Sequence, residues 1–127
     1  MSALPIDSAR PHQNAAQAAG YRIHSRILDF VTAERTELLN VTERINEIVR
    51  RSGIKDGIVH LQTLHTTTAL AIGEWQAALL DDFKGFLDRT AEREAYYKHN
   101  DPAFSDCERR NADAHLKGSF FGQSLML

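Results

Sequence analysis

The stretch that most constrains the fold is GIVHLQTLHTTTALAIGE, residues 57–74, in which two short apolar runs flank a histidine and three threonines. β-Branched residues lose χ1 freedom in a helix, so three successive threonines disfavour a helix at this point. The apolar runs before and after them have the composition of strands. We therefore predict two strands joined at residues 65–68, where one imidazole and several hydroxyls face a cleft.

The amino-acid composition limits the classes of protein to which this chain can belong. The chain has 127 residues, of which 43% are hydrophobic and 25% charged, which is typical of one soluble globular domain. A net charge of −2 provides no basic field for nucleic acid or an anionic membrane. The single cysteine, Cys107, excludes an internal disulfide. Without a membrane-length apolar run or a signal-peptide pattern, we expect a cytoplasmic protein with neither nucleic-acid nor membrane partners.

The beginning of the chain differs from the rest. Residues 1–20 contain few large apolar side chains to offset the entropy of ordering, so we predict a mobile N-terminal tail. Residues 21–127 are then a single domain. Within it, residues 21–31 and 36–41 have apolar alternation and are predicted to pair as a hairpin.

The helices are predicted from capping residues and apolar spacing. Thr42 is a suitable N-cap and Gly53 a suitable stop for a helix over residues 42–52. The second predicted helix covers residues 75–90 and buries a stripe that contains Trp75, Leu79, Phe83, Phe86 and Leu87. After a polar loop over residues 91–110, a short helix over 111–121 precedes a last strand at 124–127. Paired strands and helices favour an α+β fold with a mixed or antiparallel sheet and two to three helices.

Three patches of the sequence, in this order, resemble one family. They are HTTTALAIGE (65–74), YYKHND (96–101) and NADAHLKGSFFGQSL (111–125). Together they resemble the YjbQ-like proteins, also known as the secondary thiamine-phosphate synthase enzyme family. The resemblance covers residues 21–127 and implies a compact α+β domain that assembles as a homo-oligomer, typically a trimer. It also implies that histidines converge on a pocket that binds a metal ion or an anion.

The sequence departs from the family pattern at two places. Gly73 replaces the asparagine that the family has before Glu74. The sequence also ends at Leu127, where the family continues with a hairpin that carries a Gly-Thr-Trp-Gln motif. We therefore expect a C-terminally truncated YjbQ-like domain.

His65, His99 and His115 are the candidate metal ligands, because they lie on three different predicted elements. Three neutral imidazoles can hold a zinc-like divalent ion at roughly 2.0–2.1 Å and leave a fourth position for water or substrate. No two of them have the i, i+4 spacing of a helical metal motif. The alternative interpretation is that each histidine makes its own hydrogen bonds.

The same cluster can instead bind a phosphate or diphosphate. The candidate phosphate ligands beside the histidines are Thr66, Thr67, Lys117 and Ser119. Ser119 follows His115 by four residues, so both lie on one face of the predicted helix. The alternative interpretation of Lys117 is a solvated surface lysine.

Glu74 and Asp101 are the carboxylates nearest in sequence to these groups and, with His65, are the candidate catalytic residues. Either carboxylate can transfer a proton, orient an imidazole or coordinate Mg²⁺. The alternatives are an Asp-Pro turn at Asp101 and a stabilising first-turn charge at Glu74. Tyr96 and Tyr97 are interpreted as anchors of the polar loop.

Two functional hypotheses follow. The first is an enzyme, a transferase whose pocket binds a phosphorylated small metabolite and whose activity, by resemblance, is a weak secondary thiamine-phosphate synthesis. The second is a non-catalytic, oligomeric module that binds a metal ion or small anion. A nucleic-acid-binding function would need a basic face that bears aromatic side chains, which the sequence does not contain.

Overall fold

The structure, a computed structural model, describes residues 20–127. The chain divides into two compact units with the bounds Met1–Gly57 and Ile58–Leu127, of which the first is described from residue 20 onward. Residues 1–19, which include nearly all of the predicted tail, lie outside the described residues. The elements in chain order are α1 (Thr42–Ser52), β1 (His60–Gln62), α2 (Ala77–Thr90), a 3₁₀ helix (Lys98–Asn100), α3 (Ala112–Ser119) and β2 (Ser124–Met126).

Helix α1 has the bounds that the sequence predicts. It ends at Gly53, whose φ of 67° lies in the left-handed region that glycine adopts without steric cost. The predicted cap at Thr42 is wrong, because Val41 occupies the N-cap position and makes no side-chain cap. The Oδ1 atom of Asn40 instead accepts a hydrogen bond from the Thr42 amide at 3.0 Å.

The predicted hairpin of residues 21–31 and 36–41 is wrong, since residues 22–41 contain no strand. Strands require a backbone partner, and this segment makes side-chain contacts to α1 instead. Arg22 donates through Nη2 to the carbonyl oxygen of Ser52 at 2.8 Å. The guanidinium of Arg44 lies 4.5 Å from the ring centroid of Phe30, a cation–π distance.

In the second unit, β1 and β2 form an antiparallel two-stranded sheet in which Leu61 pairs with Leu125. Paired backbone hydrogen bonds of 3.0 Å between Val59 and Leu127 continue this ladder at one end. The run after the threonines, predicted as a strand, is not assigned as one, although the Leu70 amide donates to the Gly122 carbonyl at 3.1 Å. Residues 20–127 therefore contain three α-helices and one antiparallel sheet, which confirms the α+β class.

Helix α2 begins two residues later than predicted, because the Gln76 side chain caps it by accepting from the Leu79 amide at 2.8 Å. Trp75 therefore lies outside the helix and is 53% exposed, which overturns its prediction as a core residue. Leu79 and Phe86 are also exposed. The buried apolar residues of this unit are Leu87, Ala91 and Ala112. In the described part of the chain, no helix is both long and apolar enough to span a membrane.

Candidate functional site

A cavity of about 450 Å³ lies where the 3₁₀ helix meets α3. Aromatic rings and imidazoles form most of its wall, with one lysine and two small or aliphatic side chains. The lining residues are Tyr96, Tyr97, Lys98, His99, Ala112, His115 and Leu116. Such a wall combines flat apolar faces with a few polar groups, as small-molecule sites usually do.

His99 and His115 both line this cavity. Their ring centroids are 5.2 Å apart and their planes meet at 89°, so one imidazole edge faces the other ring. Both residues are half-buried. Two of the three predicted site histidines thus lie together, one from the 3₁₀ helix and one from the first half of α3.

Two asparagines set the position of this pair. Asn111 occupies the N-cap position of α3 but makes no side-chain cap; its Oδ1 atom lies 3.2 Å from His99 Nε2. Because an amide oxygen only accepts, Nε2 carries the ring proton and Nδ1 keeps its lone pair when His99 is neutral. The missing cap comes from Asn100, whose Oδ1 atom accepts from the Ala112 amide at 3.1 Å. The start of α3 and the 3₁₀ helix therefore each provide an asparagine side chain that hydrogen-bonds to the other element.

Asp101 holds Tyr96 at the edge of the cavity. The Tyr96 hydroxyl donates to Asp101 Oδ2 at 2.8 Å, and the Ala103 amide donates to Oδ1 at 2.9 Å. The hydrogen bond from the Ala103 amide, followed by that from Tyr96, lowers the pKa of Asp101 below its ordinary value. The same contact raises the pKa of Tyr96. Asp101 also accepts turn hydrogen bonds through its carbonyl oxygen, as the Asp-Pro interpretation expects.

Lys98 is among the residues that line the cavity, whereas Phe104, the ring beside its ammonium, is not. The Lys98 Nζ atom lies 5.3 Å from the ring centroid of Phe104, within cation–π range. Among residues 20–127, no carboxylate forms an ion pair with this ammonium. The sequence analysis did not single out Lys98 as a site residue, although the YYKHND patch contains it.

His65 is not among the residues that line the cavity. The Thr67 amide donates to its Nδ1 atom at 3.2 Å, and the Thr67 hydroxyl lies 2.8 Å from the same nitrogen. Nδ1 is therefore an acceptor, and the neutral ring carries its proton on Nε2. In the part of the chain that the structure describes, no group of three or more His, Cys, Asp or Glu side chains could hold a metal ion. The structure thus brings His99 and His115 together without His65.

The predicted phosphate ligands lie in different surroundings. Lys117 is buried, and its Nζ atom is 2.6 Å from Asp88 Oδ1 and 3.9 Å from Asp113 Oδ2, so it is neither a solvated lysine nor open to an anion. Ser119 donates to the Leu116 carbonyl at 2.8 Å. Lys117 follows His115 by two residues and therefore lies on the other side of α3, whereas the Ser119 hydroxyl bonds back to its own helix.

The remaining candidates lie outside the cavity wall. Thr66 and Thr67 lie against the end of α3, where a Cβ atom added to Gly118 would be 3.4 Å from the Thr66 carbonyl oxygen. Glu74 is exposed in the segment before α2. Cys107 contacts the Arg109 carbonyl through its Sγ atom at 3.5 Å. None of the four lines the cavity.

Comparison with known proteins gives matches to a single family. The family model described as "UPF0047 protein YjbQ-like" matches residues 26–127. A UPF0047 protein of Archaeoglobus fulgidus is 36% identical over 100 residues, which are 79% of this chain and 72% of the relative. A UPF0047 protein of Methanothermobacter thermautotrophicus is 31% identical over 102 residues, 80% of this chain and 67% of the relative.

A solved structure is also similar. A YbjQ-like protein of unknown function from Sulfolobus solfataricus superposes with a TM-score of 0.68 at 32% identity. The match covers 75% of this chain and 64% of that protein, so the chain spans about two thirds of its structural relative. At 32% identity, the two proteins are similar in sequence as well as in fold.

Proposed function

The chain belongs to the UPF0047 family of YjbQ-like proteins, and on that premise we propose that its cavity binds a phosphorylated small metabolite. The observation that carries this proposal is the His99–His115 pair in a wall that also contains Lys98, which forms no ion pair within residues 20–127. Imidazoles and ammonium groups donate charge-assisted hydrogen bonds to phosphate oxygens. The two tyrosine rings of the wall offer flat surfaces for a ring of the ligand.

The proposed activity is the weak, secondary thiamine-phosphate synthesis that the family resemblance implies. In that transfer a ring nitrogen of a thiazole phosphate forms a C–N bond to the methylene carbon of a pyrimidine diphosphate, and diphosphate leaves with the electron pair. The reaction mainly requires positioning and stabilisation of the departing negative charge. His99 and His115 are the groups proposed to donate hydrogen bonds to the departing diphosphate. Catalytic roles for His65, Glu74 and Asp101 stay predictions.

The second candidate is a non-catalytic module that binds an anion or metal ion as a homo-oligomer, with a trimer as the expected assembly in the cytoplasm. This candidate is favoured because a candidate catalytic carboxylate and a candidate phosphate-binding lysine both have other partners in the structure. The Asp101 carboxylate accepts from Tyr96 and Ala103, and Lys117 pairs with carboxylates. A divalent ion stays a prediction, because His99 and His115 supply only two nitrogen ligands and no step is derived through a metal.

Complementation separates the two candidates. A thiamine-requiring strain that lacks its main thiamine-phosphate synthase is transformed with the wild-type gene, with His115→Ala and with the control His60→Ala, which changes an exposed residue of β1. Growth with wild type and His60→Ala, but not with His115→Ala, supports the enzyme. Absence of growth with all three, while the purified protein binds thiamine phosphate, supports the module. Circular dichroism confirms that each variant is folded.

A further inference from the structure

We propose that Lys98, and not Lys117, is the cation that anchors the phosphate of the ligand in this cavity. The proposal rests on the proposed function and assigns one of its specificity-determining residues. Lys98 immediately precedes His99 in the 3₁₀ helix and lines the same cavity as His115. Among the described residues that line the cavity, no other is a lysine or an arginine.

The charge of Lys117 is already neutralised. Its ammonium donates to Asp88 at 2.6 Å and lies 3.9 Å from the buried carboxylate of Asp113. To bind an anion it would have to leave the exposed carboxylate of Asp88 and the buried carboxylate of Asp113, and leaving a buried charge without its partner is destabilising. The side chain is also only 10% exposed. Lys117 therefore stabilises the contact between α2 and α3.

Lys98 has the opposite properties. It is exposed, and among residues 20–127 its ammonium has no carboxylate partner, so no ion pair has to break before it binds phosphate. The ring of Phe104 lies 5.3 Å from Nζ and restricts where the flexible side chain extends. A lysine acts on phosphate as a point charge and does not need the planar geometry of arginine.

The test measures binding of inorganic pyrophosphate by isothermal titration calorimetry, with EDTA present so that the anion alone is the probe. Four proteins are compared: wild type, Lys98→Gln, Lys98→Arg and Lys55→Gln. Lys55 is an exposed lysine that is not among the residues lining the cavity, so Lys55→Gln removes the same charge from outside the cavity wall. Loss of one charge-assisted contact is expected to weaken binding by roughly tenfold or more in Lys98→Gln.

We expect Lys98→Arg and Lys55→Gln to bind within about twofold of wild type, because charge near the cavity is kept in both. If wild type binds and Lys98→Gln binds equally well, the assignment of Lys98 is wrong while the proposed function stands. If Lys55→Gln weakens binding as much as Lys98→Gln, net charge explains the effect and the assignment is again wrong. If wild type binds neither pyrophosphate nor thiamine phosphate, both the assignment and the proposed function are overturned.

Discussion

The imidazole of His99 lies edge to face with that of His115, with 5.2 Å between ring centroids and 89° between ring planes. This contact is made across the loop that joins the 3₁₀ helix to α3. The hydrogen bonds of Asn111 to His99 and of Asn100 to the Ala112 amide hold the two elements together. The cavity is thus built on residues that are close in sequence, within one unit of the chain.

Replacing Asn111 by alanine should release the ring of His99. The lost hydrogen bond is partly buried, so we expect a loss of about 1 kcal/mol in the free energy of unfolding, measured by urea titration. Nitrogen chemical shifts of the His99 ring should lose their preference for the Nε2–H tautomer. Asn100→Ala is the matched control: it removes the cap of α3 at a similar cost of about 1 kcal/mol. If Asn100→Ala changed the tautomer and Asn111→Ala did not, the interpretation of Asn111 would be wrong.

Replacing Lys117 by methionine should destabilise the protein strongly. The change removes an ammonium that is bonded to Asp88 and faces the buried Asp113, and we expect a loss of about 3 kcal/mol in the free energy of unfolding. The control is Arg51→Met, which breaks an exposed i, i+4 pair with Glu47 and should cost less than about 0.5 kcal/mol. Equal losses in the two variants, by urea denaturation, would contradict a structural role for Lys117.

The hydrogen bond from Tyr96 to Asp101 should make stability depend on pH. The folded-state pKa of Asp101 is lowered, so its contribution is present above about pH 4 and is lost as pH falls through the lowered value. The pKa of Tyr96 is raised, so its contribution is present below about pH 10 and is lost as pH rises through the raised value. The stability difference between wild type and Tyr96→Phe should therefore shrink as pH falls below about 4.

Tyr97→Phe provides the control for this pH dependence. The Tyr97 hydroxyl donates to the Glu92 carbonyl oxygen at 2.7 Å, and a backbone carbonyl does not titrate. The effect of Tyr97→Phe on the urea midpoint should thus stay constant from pH 7 to pH 2. A Tyr96→Phe effect that is equally constant would show that Asp101 is not its partner in solution.

Gly118 should accept alanine but no larger side chain. A Cβ atom at this position would lie 3.4 Å from the Thr66 carbonyl oxygen and 3.5 Å from the Thr67 carbonyl carbon, which are ordinary contacts. Since glycine inside a helix costs up to about 1 kcal/mol relative to alanine, Gly118→Ala should leave the melting temperature unchanged or raise it. Gly118→Leu should lower it and displace the His65 loop, visible as shifted amide resonances of Thr66 and Thr67. Equal tolerance of leucine would show that α3 does not pack closely on that loop.

Local signals in the sequence predict the helices well. Gly53 ends α1 because a left-handed residue is needed there, and glycine supplies it without reference to the rest of the fold. The existence of α2 and α3 follows from apolar spacing in the same way. The failed predictions depend on partners that are distant in sequence. Residues 21–41 alternate like strands, yet a strand forms only where another backbone pairs with it.

Contacts between elements that are distant in sequence are also not predictable from local signals. The sequence patches at residues 96–101 and 111–125 contain His99 and His115. They do not show that Lys117 faces Asp88, because that contact joins two helices. The sequence does not single out Lys98, since an exposed lysine in a polar loop has no distinctive spacing. The proposal for Lys98 depends on the cavity that it lines, which only the structure shows.

The most direct test of the central claim is a titration of the isotope-labelled protein with thiamine phosphate, followed through the ring resonances of all its histidines. The account predicts that His99 and His115 shift together along one binding curve while His60, exposed on β1, does not move. It also predicts that His115→Ala abolishes the response of His99. Saturable binding that leaves both His99 and His115 unperturbed, or no binding at all, would contradict the claim that this cavity is the site.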